Sequence, residues 1–114
     1  MSIPSTANLL RPLLELISKK DEISLKDATI ALGEKLELEE EYLRELQPSG
    51  RQTKFEKRVG WAKHYLGKAG LVESETRGYF SITPLGRRIL KKQPDFLSIR
   101  NLEIIGNDKS FLDE

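Results

Sequence analysis

The segment from Pro48 to Thr83 constrains the fold more than any other part of the chain. Thr53 and Glu56 have the Thr-x-x-Glu spacing of a capping box, which predicts a helix that begins at Thr53. Apolar residues recur at helical spacing up to Gly70, and two short stretches of β-forming residues follow, joined by Glu75–Gly78. This order, a helix and then a hairpin, is typical of a winged helix, in which the helix enters the DNA major groove and the hairpin contacts the neighbouring backbone.

The first helix is predicted near the N-terminus, where leucines recur at helical spacing. Asn8 as N-cap would place Pro12 in the first turn, where the missing N–H does little harm, whereas a cap at Thr6 predicts a kink. The predicted buried stripe consists of Leu9, Leu10, Leu13, Leu14, Leu16 and Ile17.

Three further helices complete the prediction. Ser24 caps the second, an acidic stretch predicts a short extra helix that ends before Pro48, and Thr83 caps a C-terminal helix that Pro94 closes. The expected fold is therefore α+β and mostly α: a winged helix-turn-helix with a three-helix core, a β-hairpin wing, the extra short helix before the recognition helix, and the C-terminal helix.

The third helix has two chemically different faces. Its buried stripe is predicted to contain Phe55, Val59, Ala62, Leu66 and Ala69, and Trp61 beside it is predicted to pack in the core. The opposite face is predicted to expose Lys57, Gly60, Lys63, His64, Gly67 and Lys68. Two helical glycines each cost about 1 kcal/mol relative to Ala. Either close approach of DNA or another helix compensates for them, or they relieve packing within the protein.

Charge is unevenly distributed along the 114 residues. Residues 51–92 carry 11 Lys and Arg against 3 Asp and Glu, a net +8, between acidic flanks in a chain whose formal charge is +1. Such a segment presents one positive surface if it folds as a unit, and phosphate backbones bind such surfaces. A solvated basic face is the alternative that charge alone leaves open.

Composition excludes several other classes of protein. The chain has no Cys and one His, which argues against disulfides and against a metal site, and no cofactor is expected. No apolar run reaches the ~20 residues of a membrane helix, and the N-terminus lacks the features of a signal peptide, so a cytoplasmic location is expected.

The residues QPSGRQTKFEKRVGWAKHYLGKAGLVES, with GYFSITPLGRRIL after them and IPSTANLLRPLLELI near the N-terminus, resemble the N-terminal domain of Mrr-type restriction endonucleases. The resemblance implies a winged helix that binds DNA and delivers a separate nuclease domain to modified DNA. It also implies that Arg51, Lys57 and the exposed face of the third helix face the DNA. The one Gln-x-Lys of the chain, Gln52-Thr53-Lys54, opens a helix rather than lying on a strand, so cleavage by this chain alone is not expected.

The predicted function is therefore DNA binding in a restriction system, without enzymatic activity. Double-stranded DNA is the expected partner; a nuclease domain or subunit and a second copy of the chain remain open. The alternative is a winged helix that docks on another protein or dimerises, without direct recognition of DNA. Arg58 is expected either in an internal ion pair or on a phosphate. The predicted DNA-binding residues are Arg51, Gln52, Thr53, Lys54, Lys57, Lys63, His64, Lys68 and Arg77.

The chain is predicted to divide into a winged-helix domain, residues 1–92, and a tail, residues 93–114. The tail is acidic but rich in apolar side chains, so it is expected to pack on the domain or on a partner chain, or to begin a linker.

Overall fold

The computed structural model describes residues 5–46 and 53–92. The predicted loop with Arg51 and Gln52, the residue Pro94 and the tail 93–114 lie outside these ranges. Within them the chain forms α1 (Thr6–Ser18), β1 (Ile23–Ser24), α2 (Leu25–Lys35), α3 (Glu40–Arg44), α4 (Lys54–Lys68), β2 (Val72–Glu73), β3 (Tyr79–Ile82) and α5 (Pro84–Lys92).

Three helices, α1, α2 and α4, surround the core, with the sheet and α5 closing one side. The apolar stripes that the helical spacing predicts are buried, except that Leu16 of α1 is only partly buried: α1 contributes five buried residues and α4 contributes four. The prediction of an α+β, mostly helical winged helix-turn-helix with an extra short helix and a C-terminal helix is confirmed.

The start of α1 differs from the prediction. Ser5 is the N-cap, and its hydroxyl accepts a hydrogen bond from the Asn8 amide at 3.3 Å. Asn8 therefore lies inside the first turn, and Pro12 lies in the second turn rather than the first. The prediction of an Asn8 cap, and its alternative Thr6, were both wrong: Ser5 was not considered, although Ser caps as well as Asn, and Pro12 favoured a cap close before it.

Strand β1 was not predicted, and it determines the layout of the sheet. The strand order is β1-β3-β2, with both pairs antiparallel. In the first pair Ile23 lies opposite Phe80 and Ser24 opposite Tyr79. This register brings the beginning of α2 next to the base of the wing. Two residues with a single buried side chain are too short for a periodic signal.

Local capping signals place both ends of α4 and the start of α5 as predicted. The Thr53 hydroxyl accepts from the Glu56 amide at 3.0 Å, and Gly70, with a φ of 83°, ends the C-terminal turn after α4. The Thr83 hydroxyl donates to the Gly70 carbonyl at 2.7 Å and accepts from the Gly86 amide at 3.0 Å. Thr83 thus caps α5 and also ties it to the turn after α4.

Helix α5 packs closely on the sheet because Gly86 has no side chain. A Cβ built at Gly86 would lie 2.3 Å from the Leu71 carbonyl oxygen, closer than any real Cβ contact. At the other side of α5, the Arg87 guanidinium donates to the Ser18 carbonyl at 3.4 Å. These contacts fix α5 at the sheet end remote from the wing turn.

Candidate nucleic-acid interface

The face of α4 opposite the core is basic and open. Lys57, His64, Gly67 and Lys68 are exposed, and the one acidic residue of the helix, Glu56, lies in the first turn, where the helix dipole favours it. The face therefore offers positive charge without a competing carboxylate of its own helix. This is the arrangement that the helical spacing predicts for a groove-binding helix.

Trp61 lies on this open side and not in the core. Its side chain is 47% exposed, so the prediction of core packing was wrong. The indole packs on its own helix instead: its centroid is 5.5 Å from that of His64, with ring planes at 89°, and 6.1 Å from that of Tyr65. Trp61 follows Lys57 by four residues and precedes His64 by three, so helical spacing places it on the same face as these exposed residues and not beside the buried stripe.

A shallow depression of about 410 Å³ lies beside the indole, lined by Lys57, Gly60, Trp61 and His64. The four residues follow one another at spacings of three, one and three, so they share one stretch of helix surface. Gly60 has no side chain, so its backbone forms part of the floor of the depression. A cation, two rings and exposed backbone thus meet in one concave patch.

The two glycines of α4 are not required by packing within the described residues. A Cβ at Gly60 would meet Leu25 Cδ2 at 3.7 Å, and one at Gly67 would meet Val72 Cγ2 at 3.8 Å, both ordinary van der Waals contacts. Alanine would therefore fit at either position. This geometry gives no support to the explanation that the glycines relieve crowding inside the protein. The explanation that is left is close approach of DNA or another helix to the backbone of α4.

Two of the predicted DNA-binding lysines already have partners. Lys54 Nζ lies 2.6 Å from Glu45 Oε1, and Lys63 Nζ lies 5.5 Å from the centroid of the Phe80 ring, within cation–π range. Thr53 uses its hydroxyl to cap α4. These residues lie at the edges of the face, whereas Lys57, His64 and Lys68 lie near its centre.

The wing and the start of α2 extend the same surface. Arg77 is exposed in the turn between β2 and β3, and Tyr79 at the base of the wing is 43% exposed. Lys26 is exposed in the first turn of α2. The pairing of β1 with β3 brings this turn next to Tyr79, and Leu25 in the same turn lies beside Gly60 of α4. Lys26 and Tyr79 escaped the sequence reasoning because only the unpredicted strand β1 brings them to this surface.

Acidic residues are concentrated in and around α3, whereas α1 carries a single one, Glu15. Burial and the charges of three nearby carboxylates raise the pKa of Tyr42 in α3. On α1, burial by itself would raise the pKa of Glu15, but the hydrogen bond and charge of Lys35 and the charge of Arg11 together hold it below its ordinary value. The acidic segment around α3 meets α4 at its N-terminal end, where Glu45 pairs with Lys54.

Over residues 5–46 and 53–92, no three His, Cys, Asp or Glu side chains come together as metal ligands would. In the same part of the chain, no helix combines the length and apolar character needed to cross a bilayer.

Comparison with known proteins gives a consistent result. Residues 7–92 match the family model of the Mrr N-terminal domain. The chain is 31% identical over 87 residues to the type IV methyl-directed restriction enzyme EcoKMrr of Escherichia coli (strain K12), a match that covers 75% of this chain and 28% of that enzyme. No solved structure gives a significant match. The family model covers residues 7–92, which is more than half of the chain. The chain therefore belongs to the Mrr N-terminal domain family.

Proposed function

We propose that the chain binds double-stranded DNA, with α4 in the major groove and the wing on the flanking backbone. In this proposal it supplies DNA recognition to a restriction protein whose cleavage activity resides in a nuclease domain or subunit. The similar enzyme EcoKMrr is described as methyl-directed, so modified DNA is the proposed target class.

The observation that carries the proposal is the composition of the open face of α4. It combines Lys57, His64 and Lys68 with two glycines that internal packing does not need. A basic helix face with exposed backbone can approach a phosphate backbone and the base edges of the groove together. A merely solvated basic face has no use for the glycines, which lower helix stability.

Only some of the Lys and Arg residues of the basic segment, residues 51–92, are proposed as phosphate contacts. Lys54 and Lys63 are engaged within the domain, so the described cations that we propose as phosphate contacts, on or beside the open face of α4, are Lys26, Lys57, Lys68 and Arg77. Arg51, which the family resemblance implicates, is the fifth. With about −0.9 per neutralised phosphate on B-DNA, four or five contacts predict a log–log salt slope of about −3.5 to −4.5.

The test is an anisotropy titration of labelled duplex DNA at several salt concentrations. We expect the slope above, and we expect Lys57→Glu with Lys68→Glu to abolish measurable binding. The matched control is Lys20→Glu with Lys91→Glu, which changes the net charge equally. Lys20 precedes β1 at the sheet end remote from the wing, and Lys91 lies one turn after Arg87 on α5. Equal losses in both double variants would mean that net charge alone is responsible.

A winged helix that docks on protein without touching DNA is the alternative. An apolar groove of about 480 Å³ between α2, α3 and the start of α4 favours it, with Ile30 52% exposed at its edge. The same titration separates the two functions, because a module that docks only on protein would not bind duplex DNA even at low salt.

A further inference from the structure

The exposed indole on the open side of α4 carries no charge, so the phosphate contacts proposed above do not account for it. A tryptophan ring is largely apolar, and here about half of it contacts no other part of the described domain. The contacts with His64 and Tyr65 hold it on the helix surface, so it does not need ordering upon binding. An ordered, exposed ring beside lysines suits an apolar feature on the surface of a charged ligand.

The major groove of DNA presents one such apolar feature, the methyl group on C5 of a pyrimidine. Thymine carries it, and 5-methylcytosine carries the same group at the same position, whereas cytosine does not. Apolar side chains on a recognition helix contact this methyl directly. Gly60 leaves the floor of the depression free, and Lys57 at its edge can hold the adjacent phosphate.

Stacking on an extruded base fits the geometry less well. A flipped base is held in a snug pocket between side chains that cover both of its faces. In this depression the two rings are nearly perpendicular, with 89° between their planes, and the remaining lining is Lys57 and Gly60. The edge of a ring can cover a methyl group in this arrangement, but no second ring lies parallel to the first.

We propose that Trp61, with His64 and Gly60, forms a reader for the C5 methyl group of a pyrimidine in the major groove. The inference rests on the proposed DNA binding and adds the residue that determines specificity. Lys57, Lys68 and Arg77 supply affinity through phosphates, whereas Trp61 supplies discrimination between methylated and unmethylated C5 positions.

The test uses four libraries of duplexes with a random central segment of about one and a half helical turns. They are synthesised with cytosine or 5-methylcytosine in combination with thymine or uracil, which is thymine without its methyl. Each library is competed against a labelled duplex selected by the wild-type chain. Burial of one methyl-sized group predicts about a fourfold change in affinity for each methyl contacted.

We expect the wild-type chain to bind the methyl-free library most weakly, and Trp61→Ala to bind all four libraries alike with an unchanged salt slope. Trp61→Phe keeps a ring and should keep a preference, and a thermal melt confirms that both variants are folded. The thymine-to-uracil and cytosine-to-5-methylcytosine arms show which pyrimidine supplies the methyl. Either arm alone supports the reader.

Two results overturn the inference while leaving DNA binding intact. One is a wild-type chain that binds all four libraries equally and with a steep salt dependence. The other is a Trp61→Ala variant that keeps the methyl preference of the wild type. Failure to bind any library at low salt would instead refute the proposed function itself.

Discussion

Replacing Gly60 by alanine should make the domain more stable and its DNA binding weaker. Gly60 lies in the interior of the 15-residue helix α4, well away from both ends. Alanine there is favoured over glycine by about 0.8–1.0 kcal/mol of helix propensity. The new Cβ would meet Leu25 Cδ2 at 3.7 Å, an ordinary contact, so no steric penalty reduces the gain.

For a small domain, 1 kcal/mol corresponds to a rise of about 4–8 °C in Tm. The same methyl group would project into the depression between Lys57, Trp61 and His64. If DNA approaches the helix backbone there, we expect the affinity to fall at least about tenfold, or about 1.4 kcal/mol. Thermal melts and anisotropy titrations of the same preparations measure both effects.

Gly86→Ala is the matched control, because it is also a glycine-to-alanine change within a helix. Its Cβ would lie 2.3 Å from the Leu71 carbonyl oxygen, so α5 must shift, and overpacking of this kind costs about 1–3 kcal/mol. The reasoning about Gly60 is refuted if Gly60→Ala lowers the Tm, since internal packing would then explain the glycine. It is also refuted if the variant is stabilised and binds DNA like the wild type.

Three other outcomes are expected. Trp61→Ala should cost only about 0.5–1.5 kcal/mol, the value of an aromatic pair, and not the 3–5 kcal/mol of a core tryptophan; a urea titration distinguishes the two. Because the pKa of Glu15 is lowered in the folded state, its ion pairs should stabilise the domain fully above the ordinary value of 4.5 and lose this effect as the pH falls through the lowered pKa. The difference in urea midpoint between wild type and Glu15→Gln should therefore be largest near pH 7 and shrink in acid. If the tail packs on a second copy, deletion of residues 95–114 should reduce self-association in sedimentation equilibrium without lowering the Tm, and a truncated chain of unchanged mass distribution would contradict that packing.

The capping signals were read correctly from sequence because their physics is local. Ser24, Thr53 and Thr83 each accept a hydrogen bond from an amide three residues ahead, so the sequence contains both partners. The end of α4 at Gly70 is also a local signal, because glycine adopts the positive φ of this turn without strain. The Ser5 cap was missed although its signal is equally local, because Asn8 and Thr6 also can cap a helix and Pro12 favoured Asn8.

The errors in the site have a different origin. The partners of Lys54 and Lys63 come from the segment before the helix and from the wing. The position of Lys26 depends on β1, a strand too short to show a period. Each of these is a tertiary contact between segments that no local pattern connects.

The buried side of α4 agrees with every local rule, whereas its open side departs from them twice. The buried side has the regular apolar stripe and a capped start, and it packs on α1 and α2. The open side has two glycines in mid-helix and a half-exposed tryptophan, and these lower helix stability or solubility without any return from the described fold. Departures from local preference are expected at functional sites, where a ligand supplies the missing contacts. Because Gly60 and Trp61 border the same depression as Lys57, one ligand that is both charged and locally apolar accounts for them together, and duplex DNA with a methylated pyrimidine meets both requirements.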